Sequence, residues 1–141
     1  MTQEHKDLLL KDLCARLPYG VKLQISSWDD ANMEYVDKAD TLYSISSDNY
    51  VRTSSEDQDF YIDKVKPYLF PISSMTEKQK NEYDYWKHMI PVCHYEYGDV
   101  VEEVELFDSP ESFEYLIENK FDCFGLIPKG LAIDATNQNV Y

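Results

Sequence analysis

The sequence predicts an α+β domain: an N-terminal helix, a small antiparallel sheet whose strand lengths also suit a barrel, and two further helices. Three observations carry this. The apolar period is 3.6 residues at the start, changes to 2 after Gly20, and returns to 3.6 twice further on. Short alternating runs between positions 21 and 62 are separated by polar, turn-rich pieces. Finally, 43% hydrophobic residues supply a core for a chain of 141 residues, the ordinary size of one domain. Residues 1–141 are therefore read as a single domain.

Each element has a local reason. Thr2 can cap the first helix, and Leu10, Leu13, Cys14 and Leu17 recur at i, i+3, i+4 and i+7. On that pattern Cys14 is a small core residue, and replacing it by Ser should cost stability. Leu17-Pro18-Tyr19-Gly20 stops the helix, because a residue before Pro avoids the αR region and Gly permits a left-handed turn. Val21, Leu23 and Ile25 then alternate with Lys22, Gln24 and Ser26 as a half-buried strand. Residues 26–46 start polar and gain Tyr35, Val36, Leu42, Tyr43 and Ile45, predicting a loop, a strand, and a second strand or turn. Short strands follow at 49–52 and 60–62 around a polar loop.

Pro67 and Pro71 bracket an aromatic-aliphatic run and rule out a central strand there, which predicts an edge or crossing segment. Thr76 and Gln79 form a capping box for the second helix, with Tyr83, Trp86 and Ile90 on one face and Pro91 as its stop. Residues 92–97 and 99–107 alternate as two strands around Gly98-Asp99. Ser109-Pro110 opens the third helix, whose buried stripe is Phe113, Leu116 and Ile117. Residues 121–133 read as an extended, turning tail packed on the core.

Charge narrows function. Thirteen Lys and Arg against 27 Asp and Glu give −14, which repels phosphate backbones and anionic membranes. Residues 1–23 carry +1, 24–62 carry −7, 63–92 carry +1 and 93–141 carry −9. If the two acidic stretches converge, they form a negative face for a basic partner. No apolar run approaches the roughly 18 residues of a membrane span. MTQEHKDLLLKDL has charges on both sides of its Leu cluster and no cleavage site, so a cytoplasmic protein is expected. Three cysteines without a CxxC spacing agree with free thiols in a reducing compartment.

Chemistry finds little support. His88, Cys93, His94 and Cys123 have poor metal spacing, because adjacent Cys93 and His94 on a strand point to opposite faces. Asp57, Asp59, Glu102, Glu103, Glu105 and Asp108 match no calcium loop, and no phosphate-cradling or hydrolase motif occurs. The expectation is no catalytic residue, no metal, no cofactor and no enzyme. The candidate partner contacts are Asp29, Asp30, Asp57, Asp59, Tyr85, Glu102, Glu103 and Glu105. Glu103 and Glu105 share a strand face, and Tyr85 cannot point inward together with Tyr83 and Trp86.

KDLCARLPYGV (11–21), VKPYLFPISSMTEKQKNEY (65–83) and FGLIPKGLAIDAT (124–136) resemble a group of small uncharacterised proteins of gut bacterial genomes, prophages and phages. The acidic stretches 24–62 and 93–120 have no counterpart in that resemblance. It implies a phage or mobile-element protein acting in a bacterial cytoplasm, without implying catalytic residues. With the charge, the leading expectation is a non-catalytic protein that binds a basic host protein, as an inhibitor or DNA mimic directed at a nucleic-acid-handling or defence protein. The alternatives are a virion or phage-assembly component and a small-ligand sequestering protein. The scarcity of Lys and Arg outside 63–92 weighs against the last. No direct contact with nucleic acid or membrane is expected, and the oligomeric state is left open.

Overall fold

A computed structural model describes residues 1–56, 58–88, 93–96, 99–103 and 110–141, the side chains of 86–88, 93–96 and 99–103 excepted. In chain order the elements are α1 (Gln3–Arg16), β1 (Lys22–Asp29), β2 (Glu34–Ile45), β3 (Tyr50–Thr53), β4 (Asp59–Tyr61), β5 (Lys66–Leu69), α2 (Glu77–His88), β6 (Cys93–Glu96), β7 (Asp99–Glu103), α3 (Pro110–Glu118) and β8 (Ile133–Asp134). This is the predicted α+β class.

Helix α1 starts where Thr2 Oγ1 accepts the His5 N–H at 3.1 Å. It ends through a 3-10 turn, Leu17–Tyr19, and Gly20 at φ 74°, a left-handed angle that favours glycine. Its buried face departs from expectation. Leu9, Asp12, Leu13 and Arg16 face inward, Leu10 and Leu17 are half-buried, and Cys14 is exposed. The stripe is rotated because an ion pair, Asp12 with Arg16, fills two of its four positions. A count of apolar residues cannot register a buried pair of charges. Cys14 is thus a surface thiol, and the expected core role is withdrawn.

Six strands form one open sheet in the order β4-β3-β2-β1-β5-β8. All neighbours are antiparallel except β5 and β8, which run parallel. The end strands β4 and β8 do not meet, so no barrel closes. Two expectations are corrected. Residues 26–46 form no loop at the start: β1 continues through Trp28 and Asp29, a turn follows, and a single long β2 returns with a bulge at Tyr43. Moreover, β5 lies inside the sheet, between β1 and β8. Pro67 is tolerated because it pairs only with Leu23 of β1, while β8 engages from Tyr68 onward.

Leu9 and Leu13 of α1 pack on the inward residues Leu23, Ile25, Leu42 and Val51 of the sheet, with Leu126 and Leu131 of the tail. Asp122 folds that tail by accepting the Leu126 and Ile127 N–H groups at 2.8 and 2.9 Å. A second cluster, with Tyr83, Tyr115, Leu116 and Phe121, joins α2 to α3. The α2 capping box forms as predicted. Thr76 N–H donates to Gln79 Oε1 at 2.9 Å, and Gln79 N–H donates to Thr76 Oγ1 at 3.1 Å. Pro110 opens α3 and buries Leu116 and Ile117, while Phe113 is half-buried against Phe124. Ile90, Pro91 and Ser109 lie outside the described residues. The predicted strands 92–97 and 99–107 are represented by β6 and β7, a separate two-stranded hairpin.

Candidate interaction surface

With Leu23 and Ile25 pointing into the core, the even-numbered residues of β1 must face outward. The register then places Trp28 against Tyr35, Ser26 against Asp37 and Gln24 against Ala39 on the outer face. Trp28 and Tyr35 meet edge-on, with ring centroids 5.1 Å apart and planes at 71°. They are 48% and 69% exposed. Tyr43 and Tyr61 are also largely exposed on this side, and Tyr61 leans on Tyr50 at 4.8 Å. The helix and the tail pack on the opposite face, and among the described residues this one is left open.

The β1–β2 hairpin forms a projecting arm. Strand β5 pairs with β1 only at Leu23 and Gln24, and β3 pairs with β2 only from Leu42 onward. Beyond those points no described strand flanks the ribbon. Its base is braced by the loop before β4. Glu56 accepts from Ser27 Oγ at 3.2 Å and pairs with Lys38. Asp40, nearly buried, gathers Thr41 N–H at 2.9 Å, Ser54 Oγ at 3.0 Å, Ser55 N–H at 3.2 Å and the Ser55 hydroxyl. Burial alone would raise the Asp40 carboxyl, but the bonds from Ser55 and its neighbours outweigh it and hold the group well below the usual carboxylate range. The tip is closed by Asp29, which accepts Ala31 N–H at 3.0 Å and Asn32 Nδ2 at 2.8 Å. Met33 sits there at φ 51° and is 76% exposed.

The arm is acidic as well as aromatic. Asp30, Glu34 and Asp37 are exposed on it, whereas its one base, Lys38, is engaged with Glu56. Among the sequence candidates, Asp29 and Asp30 therefore stand at the tip. Asp59 lies on β4 and is paired with Arg52 at 3.1 Å. Following the ladder from Asp29 opposite Glu34 to Asp59 opposite Arg52, which faces Ser44, the two sites are separated by roughly 30 Å of strand. Tyr85 is exposed on α2, outside the sheet. Glu102 and Glu103 pair with His94 and Cys93 in the β6–β7 hairpin. Asp57 and Glu105 fall outside the described residues. Trp28, Tyr35, Tyr43 and Tyr61 were not among the candidates. Trp28 was legible, since it keeps phase with Lys22, Gln24 and Ser26.

Other titratable groups serve the fold. Burial pushes the Cys123 thiol up to about 12, which keeps it protonated and a poor nucleophile at neutral pH. Burial, then the hydrogen bond to Glu82 at 2.8 Å, pushes the Tyr115 hydroxyl up to about 12. Among the described residues no three His, Cys, Asp or Glu side chains are placed to hold a metal ion. No helix among them is long and apolar enough to cross a membrane. No family model, curated protein or solved structure matches the chain.

Proposed function

We propose that this is a non-catalytic binding protein that engages a basic bacterial protein through the outer face of its sheet and thereby blocks that protein. One observation carries the reading: Trp28, Tyr35, Tyr43 and Tyr61 stand exposed on the same open face, although each would gain from burial. Aromatic residues are the usual anchors of protein interfaces, and a net charge of −14 favours a basic partner. The resemblance to phage and prophage proteins agrees with a bacterial host target. Recognition by aromatic anchors is favoured over imitation of a phosphate ladder, because Asp29 is spent on its own turn and Asp59 on Arg52.

The test is capture from a bacterial lysate by three forms of the protein: wild type, the fourfold W28A/Y35A/Y43A/Y61A variant, and Tyr85→Ala as a helix-side control. A basic protein held by wild type and by the control, and released by a correctly folded fourfold variant, is the expected result. The loss should exceed about 2 kcal/mol, the scale of interface hot spots. Capture abolished by Tyr85→Ala but kept by the fourfold variant would overturn the assignment to the sheet face.

A further inference from the structure

Resting on that reading, we infer that the arm tip is a docking site for an arginine-bearing protein segment, with Trp28 and Tyr35 receiving a guanidinium, Asp37 beside them on the same face and Asp30 at the adjoining turn. The aromatic pair alone would serve many ligands. Nucleobases stack on such rings, lipid surfaces accept exposed Trp and Met, and a second copy of the chain could pack its own arm there. The charge decides among them. The tip carries exposed carboxylates at Asp30, Glu34 and Asp37 and has no free base, since Lys38 is engaged with Glu56. Phosphate backbones and anionic headgroups are repelled at short range, and so is a copy bearing the same acids. A cation with a flat apolar face satisfies both features at once. Arginine stacks on an aromatic ring while donating to carboxylates, whereas the more strongly hydrated lysine ammonium does this less well.

The geometry suits such a guest. Trp28 and Tyr35 meet edge-on, so the ring that presents its edge keeps both of its faces clear of the other ring, which a parallel stack would not allow. Asp37 stands next to Tyr35 along the outer row of β2, one cross-strand pair further from the tip. Asp29 is not available to the guest, because both of its oxygens close the turn.

The probes are three: a short synthetic peptide of alternating Arg and Ser, its Lys counterpart, and oligo-dT, each titrated calorimetrically into the full chain. The Arg peptide should bind about five-fold or more tightly than the Lys peptide, the ratio expected of one well-placed stacked cation. Trp28→Ala and Tyr35→Ala should each erase that preference while the melting temperature of the body stays within a few degrees. Raising salt should weaken both peptides. Equal affinity for the two peptides, a preference untouched by Trp28→Ala, or tighter binding of oligo-dT would each overturn the inference. A lysate partner that is released by the fourfold variant yet not displaced by the Arg peptide overturns this inference and leaves the binding reading standing. A partner retained by the fourfold variant removes the binding reading itself.

Discussion

Replacing Arg16 by Met probes how the two halves of the fold are joined. The Arg16 guanidinium is wholly buried and grips the Asp12 carboxylate twice, Nε at 2.8 Å and Nη2 at 2.9 Å. The same group donates from Nη2 to the Phe121 carbonyl at 2.6 Å, across 105 residues of chain. It thus pins α1 to the chain just beyond α3. Methionine fills similar space but leaves a buried carboxylate without its partner, a defect that costs about 3–5 kcal/mol. For a chain of this length that corresponds to a fall in melting temperature of roughly 10–15 °C. Acidity supplies a second readout. Burial raises the Asp12 carboxyl, Arg16 opposes the rise, and the nearby Asp122 charge adds to it. A carboxyl whose folded pKa is raised favours the fold most below its unfolded value of 3.8, and that benefit is lost as pH rises through the folded pKa. Removing Arg16 raises the folded value further. The deficit of Arg16→Met should therefore be widest at neutral pH and shrink on acidification, as measured by urea unfolding at pH 7 and 5. Combining it with Asp12→Asn should restore most of the loss and keeps the test readable if the single variant fails to fold. A neutral-pH loss below about 1 kcal/mol, or a deficit that Asp12→Asn leaves unchanged, would refute the reasoning.

Two further outcomes follow from side chains already placed. Cys14→Ser should change stability by no more than about 0.5 kcal/mol in a denaturant melt, because the thiol is exposed on α1 and not in the core. Asp40→Asn should cost about 1–2 kcal/mol at pH 7, since the amide cannot accept all the bonds from Thr41, Ser54 and Ser55. The Asp40 carboxyl is lowered on folding, so its contribution is present above the unfolded value of 3.8 and fades as pH falls toward the folded one. The variant should accordingly show a flatter acid limb, and an unaltered acid limb would count against the assigned hydrogen bonds.

What could be read in advance was local chemistry. Thr2, Gly20 and the Thr76–Gln79 box act where their short-range hydrogen bonds or backbone angles require, with no knowledge of the rest of the chain. The alternation of Val21, Leu23 and Ile25 likewise set the inward face of the sheet. What escaped depends on distant partners. Asp12 and Arg16 look like solvent residues until the Phe121 carbonyl and Asp122 are brought beside them. Pro67 excludes a central strand only where the neighbour on its nitrogen's side needs an N–H there; it is paired with Leu23 of β1, and β8 joins β5 one residue later, at Tyr68. The acidic candidates failed to separate for the same reason. Asp29 closes a turn, Asp59 answers Arg52 and Asp30 meets solvent, yet all three are single Asp residues in one acidic stretch.

The same charges explain how the arm can show its aromatics at all. A two-stranded ribbon is marginal in water, and its unpaired edges invite pairing with other chains. Here the base is held by Glu56 through Ser27 and Lys38, and the tip by the contact of Trp28 with Tyr35, worth about 0.5–1.5 kcal/mol beyond its buried area. Glu34 and Asp37 then place negative charge on the two faces beside the open edge of β2, where a second acidic arm would meet repulsion. An arm without these carboxylates would be open to edge pairing with other chains, and in the proposed reading the rings supply its grip. Exposure of the rings is sustainable because the acids restrict what can cover them, and under the proposed binding reading that restriction favours a cationic partner.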